Sequence, residues 1–379
     1  MARMRFVTGL FLLAALVSPV AAAEKPFRYP EGKHGKGELK YVNGVPVLTV
    51  EGTPEEIGEQ IGALTIKKVG GFEKLFKEFL KFQRAEKVWP FLVKACTTLY
   101  KRMPADHVKE IDALAKASGV DRDTFIVANT IMDVMKLGGC STLVVEPSRS
   151  ATGQLLFGRN FDFPPLDGEL PKYTLVIIYR PKGKRAFAAV GFPGLIGHPS
   201  AINDAGVALA SNEIASAGDG SPRFDATGVP MASHFRRVME ECGSVAEVEK
   251  QLRSLKLTTM GSVTVCDKKE GVVFEVTTKT VAVRRADKGV CVCTNHFVSK
   301  GLATETNCWR WPILEKARGM EKLKLSDVAK KLDQVNQGEF TIQTMVFEPA
   351  TLQLHLAFGK GPCSSQPLKK LELAKYLRP

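Results

Sequence analysis

The sequence changes character at Gly138-Gly139-Cys140, and this change constrains the fold more than any other feature. Residues 121–137 have the length and apolar spacing of a buried helix. The two glycines end that helix, and residues 141–145 (Ser-Thr-Leu-Val-Val) have the composition of a strand. Cys140 therefore opens a strand and does not sit at a helix N-terminus, where the dipole would lower the pKa of its thiol.

A cysteine in this position has another route to activation. If the Gly139–Cys140 peptide bond is cut, Cys140 becomes a chain terminus whose α-amine has an ordinary pKa of about 7.7–8.0. A nucleophile paired with an N-terminal amine is a known catalytic arrangement. Glycine before the cysteine would tolerate the strained backbone that attack on its own carbonyl requires. The sequence therefore predicts self-cleavage at Gly139–Cys140 and a Cys140 nucleophile that carries its own base.

The first 23 residues have the three parts of a secretory signal. Arg3 and Arg5 supply positive charge, residues 9–17 form an apolar run, and Ala21-Ala22-Ala23 is a small-residue cleavage site. The apolar run is shorter than the roughly 20 residues that a membrane span needs, and an uncleaved anchor stays open as an alternative. We expect a mature chain that starts near Glu24 and is secreted or periplasmic.

Charge and cysteine content limit the partners and the redox state. The formal net charge is +13, but the lysines are scattered among acidic residues, without a stripe of arginine and aromatic side chains. We therefore expect no nucleic-acid partner. Eight cysteines in an exported chain favour disulfides. If Cys140 stays free, an odd number is left, and the spacing does not give the connectivity.

Residues 24–139 are predicted to form a largely helical segment. Thr53-Pro54-Glu55-Glu56 supplies a capping threonine, a first-turn proline and the glutamate of a capping box. Gly58 and Gly62 would let another helix pack closely. Apolar side chains then recur at helical spacing, at Phe72, Leu75, Phe76, Phe79 and Phe82. This stripe is predicted to belong to the core; exposed, it would be a lipid-facing surface.

Residues 140–379 alternate between strands and helices. Strands are predicted at 155–157, 173–179, 186–190, 201–203, 207–210, 340–347 and 352–358. Helices are predicted at 229–241, 245–254, 309–318 and 325–335, and hairpin turns at 204–206, 268–271 and 286–289. Strands, then helices, then strands again favour an α+β layered body.

Arg159 and Asp162 lie on the second strand after the glycine joint. Antiparallel pairing of this strand with the first would place both side chains beside Cys140. A guanidinium there favours the thiolate, and a carboxylate can hold an α-ammonium group. The alternative is a surface ion pair.

Three more polar residues are candidates for the site. Asn212 ends a predicted strand and Asn295 follows another, and their side chains can donate hydrogen bonds to a developing oxyanion. Each is alternatively an ordinary strand-end asparagine. Arg310 begins a predicted helix between Trp309 and Trp311. It is either a stacked structural arginine or one that points into the site.

Several segments, in this order, resemble the motifs of the autoproteolytic acyltransferase family typified by acyl-coenzyme A:6-aminopenicillanate acyltransferase. They are residues 51–62, Gly139-Cys140-Ser141, residues 158–163, 203–212 and 294–297, and Arg310. The same motifs resemble those of choloylglycine hydrolases, penicillin amidases and acid-ceramidase-like amidases. The resemblance runs from about residue 45 to residue 360.

This resemblance implies the four-layer αββα fold of N-terminal-nucleophile hydrolases, an α+β fold, preceded by a helical prosegment. After the signal segment at 1–23 predicted from its composition, it implies a prosegment or α fragment at 24–139 and a catalytic domain or β fragment at 140–379, with the two fragments still associated after the cut. It also implies these roles: Cys140 as nucleophile, Asp162 holding its amine, Arg159 tuning the thiol, Asn295 with Asn212 in the oxyanion hole, and Arg310 supporting the centre.

Two departures separate the sequence from the family's pattern. More than a hundred residues precede Cys140, whereas bile-salt amidases place the cysteine directly after the initiator methionine. Phe163 stands where the family often has tryptophan. The first departure argues against a bile salt as the substrate, and the second alters the shape of the pocket.

The sequence as a whole predicts an exported cysteine amidohydrolase or acyltransferase. Its substrate would be a small N-acyl amide, cleaved at a linear C–N bond through a Cys140 thioester without metal or cofactor. Export favours hydrolysis, since coenzyme A is scarce outside the cytoplasm. Three alternatives stay open: a papain-like protease using Cys140 and His296, a metal site of Cys291, Cys293 and His296, and an unprocessed binding protein. The metal site lacks the paired spacing of structural zinc ligands.

Overall fold

The computed structural model describes residues 27–136 and 138–378, apart from the side chain of Phe72. The predicted signal segment lies outside the described residues. The strands are β1 Gly32–His34, β2 Gly37–Val42, β3 Val45–Gly52, β4 Gly139–Val145, β5 Leu156–Asp162, β6 Leu175–Pro181, β7 Phe187–Gly191, β8 Ser200–Asn203, β9 Ala208–Glu213, β10 Gly261–Cys266, β11 Gly271–Val276, β12 Val281–Arg285, β13 Val290–Cys293, β14 Thr341–Glu348, β15 Gln353–Phe358 and β16 Lys369–Glu372.

The helices fall into two groups along the chain. Those before Cys140 are α1 Pro54–Ile61, followed by a π-helical turn at Gly62–Ile66, α2 Lys67–Val69, α3 Phe72–Phe82, α4 Trp89–Tyr100, α5 Ala105–Ser118 and α6 Arg122–Val134. Those after it are α7 Met231–Glu241, α8 Val245–Ser254, α9 Arg310–Glu315, α10 Leu325–Asp333 and α11 Ala374–Leu377. No helix among the described residues is both long and apolar enough to cross a membrane.

The strands form two sheets. The ten-stranded sheet has the order β1-β2-β3-β6-β7-β8-β9-β10-β11-β12, and the six-stranded sheet has the order β13-β4-β5-β14-β15-β16. Neighbouring strands are antiparallel, except that β3 runs parallel to β6, with Val47 opposite Val176. β3 precedes the predicted cut and β6 follows it, so this pair joins the two predicted fragments within one sheet.

Apolar side chains fill the space between the sheets and cover their outer faces. The core between the sheets includes Val47 and Ile178 from one sheet and Phe157 and Met345 from the other. α1 and α3–α8 pack on the far side of the ten-stranded sheet, while α9 and α10 pack on the far side of the six-stranded sheet. The predicted four-layer αββα arrangement is confirmed.

The segment before Cys140 is less helical than predicted, because β1–β3 belong to the ten-stranded sheet. In β3, Val45 and Val47 face the core between the sheets, whereas Leu48 and Val50 face the helices. A strand buried on both faces lacks clear polar alternation, and a parallel partner far along the chain leaves no local turn signal. The segment is therefore an integral part of the sheet.

The close packing of α1 on α5 follows the predicted signals. The backbone N–H of Glu56 donates to Thr53 Oγ1, and Glu56 Oε2 accepts from the Thr53 N–H, which completes the capping box. A Cβ added at Gly58 would lie 2.2 Å from the carbonyl oxygen of Glu110. Only glycine fits this contact, which fixes α5 against the start of the chain.

Two other expectations are corrected by the fold. The turn at 286–289 is present, but β12 and β13 belong to different sheets, so it carries the chain between sheets instead of closing a hairpin. All eight cysteines are free thiols, and all but Cys308 are buried. They fill apolar space as small side chains instead of forming the disulfides that an exported chain favours.

Candidate active site

Cys140 lies in the second position of β4, next to the predicted cut. β4 pairs antiparallel with β5, so that Gly139 faces Asp162, Cys140 faces Phe161 and Thr142 faces Arg159. The predicted pairing is confirmed. Cys140 is 3% exposed, so its thiol is almost completely shielded from solvent in the uncut chain.

The guanidinium group of Arg159 contacts the thiol of Cys140. Its Nη2 donates to Cys140 Sγ at 3.2 Å, and its Nη1 donates to the carbonyl oxygen of Ser211 at 2.8 Å. Burial raises the pKa of the Cys140 thiol, and the Arg159 guanidinium opposes that rise. The geometry agrees with the role predicted for Arg159, stabilisation of a thiolate.

The backbone of Cys140 is held on both sides of its α-carbon. Its N–H donates to Asn295 Oδ1 at 2.8 Å, and its carbonyl oxygen accepts from Arg310 Nη1 at 2.8 Å. Arg310 Nη2 also donates to Asn295 Oδ1 at 2.8 Å. Arg310 therefore points into the site, and with Asn295 it fixes the atom that cleavage would turn into an α-amine.

Asp162 is buried beside this pair and is held by residues from the start of β14. Its Oδ1 accepts from Thr341 Oγ1 at 2.6 Å and its Oδ2 from Gln337 Nε2 at 2.8 Å, while Arg310 Nη1 lies 3.4 Å from Oδ2. Burial raises the pKa of this carboxyl group, against the hydrogen bonds and the arginine. In the uncut chain, the N–H of Cys140 donates to Asn295, so the predicted bond from an α-ammonium to Asp162 concerns the cut chain.

The two asparagines differ in their hydrogen bonding. Asn295 Nδ2 already donates to the carbonyl oxygen of Glu213 at 2.9 Å. Asn212 is 1% exposed, and neither its Nδ2 nor its Oδ1 has a hydrogen-bond partner among the described residues. A buried amide without partners is costly, unless it serves a ligand. Of the two amide groups, that of Asn212 is therefore the one that no other described residue engages.

A side chain at either glycine before Cys140 would crowd a neighbouring group. A Cβ at Gly139 would lie 2.1 Å from Gln337 Nε2, and a Cβ at Gly138 would lie 3.0 Å from the Asp162 carbonyl oxygen. Gly139 is not among the described residues with a positive φ. The N–H of Gly138 donates to Glu213 Oε2 at 2.7 Å, which ties the end of the prosegment to β9.

An apolar pocket of about 1250 Å³, including its open mouth, lies beside these residues. Its lining comes from both sides of the predicted cut: Leu75, Phe76 and Phe79 of α3, and Phe161, Phe163 and Asn212 of β5 and β9. Asp133 and Lys136 are among its polar lining residues. Cys140 does not line the pocket in the uncut chain, although Phe161, its partner in the sheet, does.

His296 contacts groups other than Cys140. Its Nδ1 lies 3.0 Å from Thr294 Oγ1, which accepts from the Cys308 thiol at 3.4 Å. Burial raises the pKa of Cys308, but hydrogen bonds with His296 and Thr294 outweigh it and lower the pKa to about 6. The papain-like alternative therefore lacks a described contact between Cys140 and His296.

The metal alternative has no geometric support. Across residues 27–136 and 138–378, no group of three or more His, Cys, Asp or Glu side chains is arranged to hold a metal ion. Cys291 and Cys293 instead pack into the core between the two sheets.

Sequence reasoning missed Gln337, Thr341, Glu213 and Ser211. Gln337 and Thr341 flank a short helical turn before β14, far along the chain from Asp162, and no local pattern marks them. Ser211 and Glu213 accept hydrogen bonds from site residues through their backbone carbonyl oxygens, and Glu213 also accepts one through its carboxylate. Their positions next to Asn212 are the one signal that was available.

Comparisons with known proteins give both sequence and structural matches. This chain is 25% identical over 280 residues to an uncharacterized protein of Archaeoglobus fulgidus, which covers 65% of this chain and 46% of that protein. The chain thus spans about half the length of this curated relative.

Several solved structures match this chain at low sequence identity. A mutant conjugated bile acid hydrolase from Clostridium perfringens matches at 14% identity and TM-score 0.47, covering 62% of this chain and 93% of that one. The Caenorhabditis elegans ortholog of N-acylethanolamine-hydrolyzing acid amidase matches at 18% identity and TM-score 0.43, covering 55% of this chain and 93% of that one. Penicillin V acylase from Agrobacterium tumefaciens matches at 10% identity and TM-score 0.41, covering 63% of this chain and 93% of that one.

The family match includes most of the candidate site. The model of the family described as acyl-coenzyme A:6-aminopenicillanic acid acyl-transferase matches residues 149–310. That segment begins after Cys140 and contains Arg159, Asp162, Asn212 and Asn295, and it ends at Arg310. The resemblance predicted from the motifs is confirmed: residues 149–310 match the model of the acyl-coenzyme A:6-aminopenicillanic acid acyl-transferase family.

Proposed function

We propose that this protein is an exported cysteine amidohydrolase that cuts itself at Gly139–Cys140 and then hydrolyses small N-acyl amides. One observation carries the proposal: Cys140 has a buried arginine at its sulfur and a second arginine and an asparagine at its backbone. A structural cysteine needs none of these contacts. Export rests on the signal-like residues 1–23.

Self-cleavage would use the same sulfur as catalysis. Cys140 Sγ attacks the carbonyl carbon of Gly139, the C–N bond breaks, and its nitrogen leaves as the α-amine of Cys140 after taking up a proton. The product is a thioester between Gly139 and Cys140, which water hydrolyses to a carboxylate and a free thiol. Arg310 and Asn295 support this step, because they hold the carbonyl oxygen and the nitrogen of Cys140 in place.

The cut chain would then act on an external amide. The α-amine accepts the thiol proton, Sγ attacks the substrate carbonyl, and the proton passes to the departing amine. Asn212 is proposed to donate to the oxyanion, because its buried amide has no partner in the described part of the chain. Water then hydrolyses the acyl thioester on Cys140, and Asp162 is proposed to hold the amine as it gains charge.

The pocket indicates what kind of acyl group is bound. The aromatic rings of Phe79, Phe163 and Phe161 stack in sequence, with centroids 6.2 Å and 5.6 Å apart. Phe161 pairs with Cys140 across the strands. An extended apolar acyl chain would lie along these rings, with its carbonyl group toward Cys140 and Asn212.

Intact-mass measurement and N-terminal sequencing of the purified protein test the first half of the proposal. We expect two fragments, one of them starting at Cys140, and a Cys140→Ala chain that stays whole. The cut enzyme is then assayed on a panel of N-acyl amides of different acyl length. An active uncut enzyme would favour the papain-like alternative, and an uncut inactive protein would favour a binding protein; either result overturns the proposal.

A further inference from the structure

The turn between α3 and α4 exposes several large apolar side chains. Phe82 is 53% exposed, Val88 48% and Phe91 75%. They lie at the end of α3 and the beginning of α4 and in the short helical turn that joins these helices. We call these three side chains the α3–α4 patch. Water-exposed apolar residues that cluster in this way mark surfaces that contact something else.

Basic side chains surround the α3–α4 patch. Within residues 81–94 the cations are Lys81, Arg84, Lys87 and Lys94, all exposed, and the one acidic residue is Glu86. The chain as a whole carries a net charge of +13. Apolar side chains flanked by lysine and arginine are typical of segments that lie in the interface of an anionic membrane.

The α3–α4 patch lies close along the chain to residues that line the apolar pocket. Phe79 lines the pocket, and Phe82 follows it by three residues on the same helix, so the two side chains are neighbours on the helix surface. Phe76, also in the pocket lining, lies 5.7 Å from the Trp89 ring at the start of α4. Apolar side chains of α3 therefore lie both in the pocket lining and at the exposed end of the same helix.

We propose that the α3–α4 patch docks on an anionic lipid surface. The aromatic side chains would enter the boundary between headgroups and acyl chains, and the lysines and arginine would contact the headgroups. The role that follows for the enzyme, transfer of apolar amides from the lipid phase into the pocket, rests on the proposed function. The docking itself does not depend on it.

Vesicle flotation of the full-length Cys140→Ala protein tests the docking without any requirement for activity. Vesicles of phosphatidylcholine with phosphatidylglycerol are compared with pure phosphatidylcholine, at low and at physiological salt. We expect binding to the anionic vesicles, weakened by salt. The double variant Phe82→Ser/Phe91→Ser should bind about tenfold less or weaker still, since two aromatic side chains are lost from the interface. Lys81→Glu/Lys87→Glu should lose a similar factor and most of the salt dependence.

Matched controls separate the patch from general charge and apolarity. Val298→Ser removes another exposed apolar side chain, and Lys369→Glu/Lys370→Glu reverses two exposed lysines on β16. Both should bind vesicles as the parent protein does, and thermal unfolding should show every variant folded. No binding of the parent protein to anionic vesicles would overturn the proposal, as would equal loss in patch and control variants or dimerisation that disappears with the patch.

A second measurement keeps this proposal separate from the function proposed above. The cut enzyme is assayed on a short-chain water-soluble amide and on a long-chain amide held in anionic vesicles. Patch variants should keep the activity on the soluble amide and lose about tenfold on the vesicle substrate. If the enzyme is inactive on both substrates yet the parent protein still floats with vesicles, the proposed function fails and the docking stands.

Discussion

Arg159 and Cys140 form a buried pair in which a guanidinium nitrogen lies 3.2 Å from the sulfur. Both side chains are shielded from solvent, and the same guanidinium donates to the backbone of β9 through Ser211. A buried cation costs free energy unless it is paired, so this arginine stabilises a thiolate only as long as the fold holds it there. The pair connects the chemistry of the thiol to the packing of the two sheets.

Replacement of Arg159 should make Cys140 a weaker nucleophile. The guanidinium opposes the rise in the thiol pKa caused by burial and by the carboxylates of Asp162 and Glu213, so losing it raises that pKa further. A rise of one pKa unit lowers the thiolate fraction about tenfold. We expect Arg159→Lys to slow both self-cleavage and alkylation of Cys140 by about tenfold or more, because lysine keeps the charge but loses the bond to Ser211. The rate of alkylation against pH, followed by mass spectrometry, measures the shift; an unchanged profile would contradict the pairing.

Replacement of Asn212 and replacement of Asn295 by alanine should have different effects on self-cleavage and turnover. Asn212→Ala removes a side chain that has no hydrogen-bond partner, so we expect a normal melting temperature and self-cleavage, but a kcat lowered by about 10²–10³. Asn295→Ala releases the N–H of Cys140 and one contact of Arg310, so self-cleavage should also fail. Asn212→Asp keeps the size but loses the donor, and should match Asn212→Ala. Full turnover in both Asn212 variants would remove this residue from the oxyanion hole.

A methyl group added at Gly139 should slow self-cleavage, because it would displace the side chain of Gln337. A Cβ at Gly139 would meet Gln337 Nε2 and push it away from Asp162. We expect Gly139→Ala to slow self-cleavage about tenfold or more, and to have little further effect in a Gln337→Ala background, because the clashing partner is gone. Time courses of cleavage for both single variants and the double variant give the coupling. Additive effects would show that the methyl group acts elsewhere.

Asp133 should make the protein less stable as the pH rises from about 4 to 6. Burial raises the pKa of its carboxyl group from 3.8 to about 6, against hydrogen bonds from Thr258 and from the N–H of Met231. The folded state therefore holds a proton that the unfolded state releases, and stability is lost as the pH passes through this window. The loss is about 3 kcal/mol for a shift of this size. Asp133→Asn should remove it, as urea unfolding of both proteins at pH 4 and pH 7 would reveal.

Cys308 should be the first cysteine to react in the uncut Cys140→Ala chain. It is half-buried, and its contacts with His296 and Thr294 lower the pKa of its thiol to about 6, whereas burial raises the pKa of Cys96, Cys242 and Cys293. Alkylation at Cys308 should level off above about pH 6, where the thiolate dominates. Peptide mapping after brief iodoacetamide treatment identifies the site, and Cys308→Ser should label slowly. Preferential labelling of a buried cysteine would contradict this order.

The parts of the site that are close along the chain were predictable. Two strands joined by a turn pair antiparallel, and this rule alone places Arg159 and Asp162 next to Cys140. The rest depends on distant contacts. Gln337 and Thr341 reach Asp162 only because β14 pairs with the far side of β5, and the unpartnered amide of Asn212 exists only once β9 and β10 are paired.

The fold was predictable in its layers but not in its sheet membership. Alternating strands and capped helices indicate the αββα body, whereas the parallel contact of β3 with β6 joins residues that are far apart in sequence. The absence of disulfides is equally non-local, since spacing says nothing about whether two thiols face each other. Seven of the eight cysteines are buried, and all eight stay unpaired.

The β3–β6 pairing has a consequence for anyone who expresses this protein in pieces. A chain that begins at Cys140 would lack the strand that normally covers one side of β6, and the exposed backbone N–H and C=O groups there would recruit other molecules. Such a truncated product should precipitate, whereas the nicked full-length protein should sediment and melt as a single particle. Heterologous production therefore has to include β3 as well as the residues from Cys140 onward.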